Sequence, residues 1–431
     1  MQRQFLSNAA VAIVIALVVG VFHQSHWLVR LENSAMDTMM EFNKGLPRML
    51  GADAVSSPQF TFLDIDDASF RDWGEPFHVP RDKILSLIRF AAEGKARLIV
   101  LDIDLSRAGI DARNDRLLAD YLVQYGTEQP PPLILVRTFY SGNSSDRQWV
   151  NIRPSYLDRF EFSESVYWAQ PLFRATLWDG VIRHWHLVKF GCLNGQLVLV
   201  PATQLIAAAL LSEGSYSPGG QYTNVNSLRL ESCSGEGSLS GPGGAGEDTP
   251  AAEAELGQRL VYTLPWKSPA PDLLTVPAML VTESAHDLAH DLVQGRVVII
   301  GASFADSRDI HRTPIGEMPG ALIIANAIKS LSVYGQVRPL PVWALWAVKL
   351  SMILLAAWAF SRFTSLIAVC VAGALVIGAL VPVSYYFFKF GYWIDFAIPL
   401  FAMALHRAVA EYRASHGHPG DGGARPGTVS A

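Results

Sequence analysis

Gln59-Phe60-Thr61-Phe62-Leu63-Asp64-Ile65-Asp66-Asp67, followed by Arg81 to Glu93 and then by Arg97-Leu98-Ile99-Val100-Leu101-Asp102-Ile103-Asp104-Leu105, is the stretch that decides the fold. Phe60 to Asp66 is a strand-like run, and Arg81 to Glu93 repeats its apolar residues at helical spacing. Leu98-Ile99-Val100-Leu101 is the nearly continuous apolar run expected of a parallel strand buried on both faces. Strand, helix and strand in that order make a βαβ unit, whose crossover is expected to be right-handed. The fold class is therefore α/β, a mostly parallel sheet with flanking helices.

Further along, Asp115 to Gln124 reads as a helix and Pro132 to Phe139 as the next strand. Val181 to Phe190 and Gln196 to Val200 read as paired strands around an Asn194-Gly195 turn, followed by a helix over Pro201 to Leu211 that begins with proline. Residues 212–255 are dominated by Gly, Ser, Pro and acidic residues, and a disordered insertion is expected there. A strand over Arg259 to Leu264, a helix near Ser284 to Val293 and a strand over Arg296 to Ile300 complete the pattern.

Half of the 431 residues are apolar and only 17 % are charged, against about a quarter in soluble domains. The deficit lies at the two ends, in the apolar runs Ala9 to Phe22, Val342 to Phe360, Leu366 to Phe388 and Trp393 to Leu405. They predict transmembrane helices over 5–28, 341–360, 364–388 and 392–409. A cleaved signal peptide is the alternative for the first run, although no small-x-small site follows it. Arg3, Arg362, Arg407 and Arg413 then place both termini in the cytoplasm and residues 29–338 outside, with 410–431 as a short disordered tail. The α/β domain is thus inserted between one N-terminal and three C-terminal spans, with membrane lipid as a partner.

Three features of this framework carry further expectations. Leu28, Leu31, Ala35, Met36, Met39 and Phe42 recur at helical spacing after the first span, which suits either core packing or an element that carries a signal. Lys349, inside the second span, is expected to pair with Asp395 near the outer end of the fourth or to snorkel alone. Pro382 and Pro399 are expected to kink the third and fourth spans. A net charge of -5 without a basic stripe argues against nucleic-acid binding. Of the three cysteines, Cys370 falls within a span, while Cys192 and Cys233 are open to pairing in an oxidising compartment.

The chemistry-bearing residues cluster where strands end. Asp64 with Asp66, and Asp102 with Asp104, place alternating carboxylates at the C-terminal edge of a parallel sheet, where such sheets bind ligands. The same residues would serve equally as helix caps and acceptors for loop amides. After the last strand, Gly301-Ala302-Ser303 and then Asp309 and His311 add small residues and further hydrogen-bonding groups. Asp64, Asp66, Asp102, Asp104, Ser303, Asp309 and His311 are the candidate ligand-binding residues. No nucleophile, base and orienting group are assembled by motif, so no enzyme activity and no cofactor are expected.

These motifs together resemble the CHASE2 domain, an extracytoplasmic sensor of bacterial receptors. Its start resembles Phe62-Leu63-Asp64-Ile65-Asp66-Asp67-Ala68-Ser69, Trp73-Gly74, Pro80-Arg81 and Gly94 to Asp102; its end resembles Gly295 to Ser303, Asp309, Thr313-Pro314 and Pro319-Gly320 through Ala325-Asn326. Leu31-Glu32 and Asp37 are similar to the family's juxtamembrane helix. The resemblance implies a sensory protein of the bacterial inner membrane with an unidentified extracytoplasmic ligand. A separate signalling partner is expected because no output module follows, and a homodimer is left open. An envelope assembly protein that uses the domain for docking is the competing expectation. Two departures bear on the site: Glu75-Pro76-Phe77-His78-Val79-Pro80 replaces the family's aromatic-proline stretch, and Ile324 stands where many members carry a histidine.

Overall fold

Apolar runs buried on both sides need a partner layer on each face, and the fold supplies two. The computed structural model describes residues 25–43, 57–126, 130–140, 149–193, 196–216, 258–284, 289–363, 365–388 and 391–394, with scattered positions between 10 and 18 and between 401 and 412. It divides into a domain, residues 37–337, and a second unit made of the chain's two ends.

The first strands of the domain are β1 (Phe60–Ile65), β2 (Leu98–Asp102) and β3 (Leu133–Val136), followed by β4 (Phe139–Tyr140), β5 (Trp149–Ile152) and β6 (Val166–Ala169). The chain continues through β7 (Phe173–Ala175), β8 (Ile182–Trp185), β9 (Val188–Leu193), β10 (Gln196–Pro201), β11 (Leu273–Pro277) and β12 (Val297–Ala302). Six of these form one sheet in the order β11-β1-β12-β2-β3-β6, and every pairing in it is parallel. The expected α/β class with a mostly parallel sheet is therefore what is found.

The helices are α1 (His26–Asn43), α2 (Asp67–Asp72), α3 (Arg81–Glu93), α4 (Ala112–Gln124), α5 (Thr203–Glu213), α6 (Ala278–Ser284), α7 (Ala289–Val293) and α8 (Gly320–Tyr334). Alternation along each strand divides the side chains between the two layers. Leu63 and Ile65, Ile99 and Leu101, Leu133 and Leu135, and Val298 and Ile300 pack in one cluster with residues of α3, α4, α6 and α7. Phe60, Phe62, Leu98, Val100, Val297 and Ile299 point the other way and are equally buried, on the face where α5 and α8 pack together and α8 lies on β12.

Where the middle of the chain was hard to read, several expectations change. The single strand expected over Val181 to Phe190 is split into β8 and β9, of which β9 pairs antiparallel with β10; β5 joins β9 in parallel and β4 adds to β5, making a second, four-stranded sheet. Pro201 ends β10 rather than opening a helix, and α5 begins two residues later at Thr203. Arg259 to Leu264 is an extended segment rather than a strand, because its amides bond to side chains of α8: Val261 N donates to Ser330 Oγ, and Thr263 N and Leu264 N donate to Asn326 Oδ1. Asn326 also donates to Leu264 O and Leu322 O, so it saturates a buried edge that would otherwise need a strand partner. The edge strand β11, the inserted strand β6, strand β7 and its pairing with β8 lie outside the expected pattern.

Cys192 is disulfide-bonded and Cys370 is free, while Cys233 lies outside the described residues. Apart from Ser212 to Tyr216, the expected insertion also lies outside them, as do Asp395, Pro399 and the side chain of Lys349. In the second unit α9 (Val342–Arg362), α10 (Ser365–Leu375) and α11 (Val381–Phe388) follow one another, and a π-helical turn over Val376–Leu380 separates the last two. That turn sits where Pro382, lacking an N–H, leaves the preceding turn one hydrogen bond short. Among the described residues no helix is long and apolar enough to cross a membrane.

Candidate functional site

The sheet order brings the acidic strand ends together. β12, the last strand of the sheet in sequence, inserts between the earlier β1 and β2, so Asp64, Gly301 and Asp102 become register neighbours across three strands. The connections after β1 and β2 run through the α3–α4 layer, whereas the chain leaves β12 for α8 on the opposite face. Strand ends at such a divergence form the crevice where open parallel sheets take ligands. Asp64, Gly301 and Asp102 lie two residues beyond Phe62, Ile299 and Val100, so all three turn toward the α5–α8 face.

Helix α8 starts against this edge. A Cβ added to Gly301 would come within 2.4 Å of Ala321 Cβ, so the close approach of α8 requires glycine there. Asp309 holds the helix end: its carboxylate accepts from Gly320 N at 3.1 Å, its backbone oxygen accepts from the same N–H at 2.9 Å, and Oδ1 lies 2.9 Å from His311 Nε2. His311 lies on β13 (Ile310–Thr313), which pairs with β14 (Gly316–Pro319) in the hairpin that leads into α8. A carboxylate at a helix N-terminus is stabilised by the exposed amides and the helix dipole.

Asp64 and Asp102 have no comparable structural role. Asp64 is only 6 % exposed, and its Oδ1 has no hydrogen-bond partner. Burial is the main reason its pKa is pushed up to about 7; a hydrogen bond from the Ser303 side chain opposes the shift, and the charges of Asp66 and Asp67 add to it. Burial likewise drives Asp102 far above the usual carboxylate range, with the Asp309 charge as the second cause. Asp64 is thus a buried carboxyl and Asp102 a half-buried one, both raised in pKa and both beside the strand end where α8 packs on Gly301. They can donate as well as accept hydrogen bonds, and among the described residues no group of three His, Cys, Asp or Glu is placed to hold a metal ion.

The other two candidate residues fall elsewhere, because β1 ends at Ile65 and β2 at Asp102, so the alternation that would pair Asp66 with Asp64 and Asp104 with Asp102 stops there. Asp66 caps α2, accepting from Ser69 N at 2.8 Å and Ser69 Oγ at 2.7 Å. Asp104 accepts from Ser106 N at 2.8 Å and from Arg153 Nη1 at 3.2 Å. The structure therefore brings together Asp64, Asp102, Ser303, Asp309 and His311, and gives Asp66 and Asp104 local bonding roles.

Motifs at both ends of the domain thus meet at one sheet edge, and among known families the CHASE2 domain matches residues 12–362. The chain belongs to the CHASE2 family. CHASE2 is a sensory domain of extracellular type, which supports a sensor role in general. No curated protein and no solved structure matches the chain. Within this CHASE2 domain the motif residues separate by role. Arg81 is packed inside, donating to Arg107 O at 2.7 Å and lying 3.5 Å from Asp115, while Asn326 and Gly301 serve the packing of α8. Ile324 is buried in the same helix.

One buried ionic cluster was barely legible in the sequence. Asp37, in the last two turns of α1, accepts from Arg183 Nε at 3.0 Å, Arg183 Nη2 at 2.8 Å and Arg259 Nη2 at 3.0 Å. Asp179 and Thr176 hold the rest of the Arg183 guanidinium, at 2.7 Å and 3.0 Å. Burial, then the positive charges of Arg259, Arg174 and Arg183, push the neighbouring His184 down to about 3, so it stays neutral. The signals were Asp37, which the family resemblance includes, and an arginine and a histidine inside the otherwise apolar strand β8.

Proposed function

We propose that this protein is a membrane-anchored sensor whose CHASE2 domain is extracytoplasmic, binds a small polar ligand at Asp64, Asp102, Ser303, Asp309 and His311, and passes its state through α1 to a separate partner protein. The observation that carries the binding site is Asp64: a carboxyl buried at the sheet's switch point, with one oxygen unpartnered and no packing or capping task. Buried polar groups without partners cost stability and are retained where they serve a site.

The Asp37 clamp supports the output route. Two domain arginines grip one carboxylate of α1, so a rearrangement of the β8 region would be felt by that helix. Binding acts on such a linkage only through differential affinity for two states of the domain. The apolar runs of the sequence support membrane anchoring.

Two measurements test the reading. A cysteine introduced at the fully exposed Leu177 is expected to react with a membrane-impermeant maleimide in intact spheroplasts; labelling only after lysis refutes the extracytoplasmic placement. A protein captured with the full-length chain from native membranes is expected to change in amount when Asp64→Asn or Asp102→Asn is introduced. Unchanged capture by both variants refutes the coupling of this site to output.

A further inference from the structure

The four-stranded sheet meets the β7–β8 pair across a small apolar core, and the rim of that core is basic. Leu172, just before β7, packs with Val200 of β10, Ile152 of β5 and Leu205 of α5. Arg174 of β7 is the register partner of His184 on β8, and His186 N donates to Leu172 O at 2.8 Å, which carries the ladder one residue further. Cross-strand partners share a face, and so do residues two apart, so Arg174, His184 and His186 lie on the same side as Leu172. In the facing sheet Lys189 of β9 is the register partner of Val200, which places it on the side that Val200 presents to Leu172. Three strands thus turn four basic side chains toward one seam.

Acids do not balance this rim. Arg183 alternates to the other face of β8, where Asp37 and Asp179 pair with it. The side chains of His184, His186 and Lys189 have neither an acceptor nor a carboxylate partner among the described residues. Burial, then the charges of Lys189 and Arg174, push His186 down to about 4, and burial with the Arg174 charge lowers Lys189. A half-buried ammonium beside like charges works against folding unless an anion joins it. Solvent reaches the rim, because Arg174 is exposed and His186 and Lys189 are each partly exposed, while His184 is buried behind them.

We propose that Arg174, His184, His186 and Lys189 bind a phosphate-type oxyanion, either free in solution or as the headgroup of a lipid. Donors on three separate strands suit a tetrahedral anion with several acceptor oxygens better than a flat carboxylate, which one guanidinium edge can satisfy. Arg174 and Lys189 supply the charge, and each neutral imidazole supplies one N–H. The site shares no residue with the acidic one at Asp64, and neither reading depends on the other.

Calorimetric titration of purified full-length protein in detergent with inorganic phosphate at constant ionic strength, alongside acetate and chloride, tests this. Saturable phosphate binding is expected, with acetate and chloride weaker by about tenfold, and Lys189→Gln or Arg174→Gln is expected to weaken phosphate about tenfold. NMR titration of histidine-labelled protein adds a readout that a purely structural role would not move: phosphate should raise the His186 pKa from about 4 toward 6.5, and Lys189→Gln should raise it without phosphate. In phosphatidylcholine nanodiscs, added phosphatidylglycerol weakens phosphate binding if a lipid headgroup is the natural occupant and leaves it unchanged if the free anion is. Absence of saturable phosphate binding in both detergent and phosphatidylcholine nanodiscs, acetate or chloride binding as tightly as phosphate, or wild-type affinity in both variants overturns the proposal. Because Asp64→Asn should leave phosphate affinity unchanged, failure here is separable from failure of the sensor reading.

Discussion

Replacing Asp64 by asparagine is expected to stabilise the protein at neutral and alkaline pH and to lose that advantage as the pH falls. The unfolded chain ionises Asp64 near 3.8, whereas burial holds the folded group at about 7. Between those values the folded protein retains a proton that the unfolded chain has released, so stability falls as pH rises through that window and is level above it. At about 1.4 kcal/mol per pH unit, the full penalty above pH 7 is on the order of 4 kcal/mol, and only about 1.5 kcal/mol of it has accrued at pH 5. Asparagine cannot ionise and resembles the protonated carboxyl in size and hydrogen bonding, so it escapes the penalty. Urea unfolding of wild type and Asp64→Asn at pH 5 and pH 8 reads the difference directly. A stability gap that is the same at both pH values, or a variant less stable than wild type at pH 8, would refute the assignment of Asp64 as a buried, uncompensated acid.

Other perturbations test neighbouring parts of the structure. Asp37→Ala leaves two buried arginines without their shared carboxylate and is expected to cost about 3 kcal/mol, as for other broken buried pairs; hydrogen exchange should show α1 losing protection from residue 37 onward, while Asp37→Asn, which keeps an acceptor, is milder. Gly301→Ala drives a methyl into Ala321 at 2.4 Å, and overpacking of this kind costs about 1 to 3 kcal/mol; the start of α8 should shift in a crystal structure of the variant. Asn326→Leu strands the amides of Thr263 and Leu264 together and is expected to destabilise by about 2 to 4 kcal/mol in urea titrations.

The sequence announced the parallel sheet because β1, β2, β3 and β12 are buried on both faces and read as unbroken apolar runs. Periodicity could not announce β11 or β6. The edge strand β11 is only half-buried, and β6 presents Tyr167 and Trp168 to partly exposed surroundings, so neither carries the strong apolar signal of a central strand. Arg259 to Leu264 misled for a different reason: it is buried and extended like a strand, but Asn326 and Ser330 supply its partners from a helix distant in sequence. At the site, the strand ends placed Asp64 and Asp102 at one sheet edge, and the register bears out that placement. The dipeptide spacing overreached to Asp66 and Asp104 because it presumed that each strand continued past its last residue. The pairing of Arg183 and Arg259 with Asp37 was not legible, since only the tertiary fold brings these three residues near one another.

The division between explained and unexplained motif residues gives the strongest physical argument for where this domain senses. A family motif residue whose every polar atom is matched by a cap, a turn or a buried edge needs no ligand to account for it. Asp66 on α2 and Asn326 on the 263–264 edge are of that kind. Asp309 is intermediate, since it caps α8 but also raises the pKa of Asp102. Asp64 and Asp102 remain: desolvation raises the pKa of each, and they sit where β12 separates β1 from β2. A ligand with hydrogen-bond donors that entered this crevice would favour the ionised form of both acids, so its affinity should rise as pH climbs past 7. It would also repay part of the energy that the empty site withholds from folding, and a site that is unfavourable when empty responds to occupancy with the largest change in domain stability.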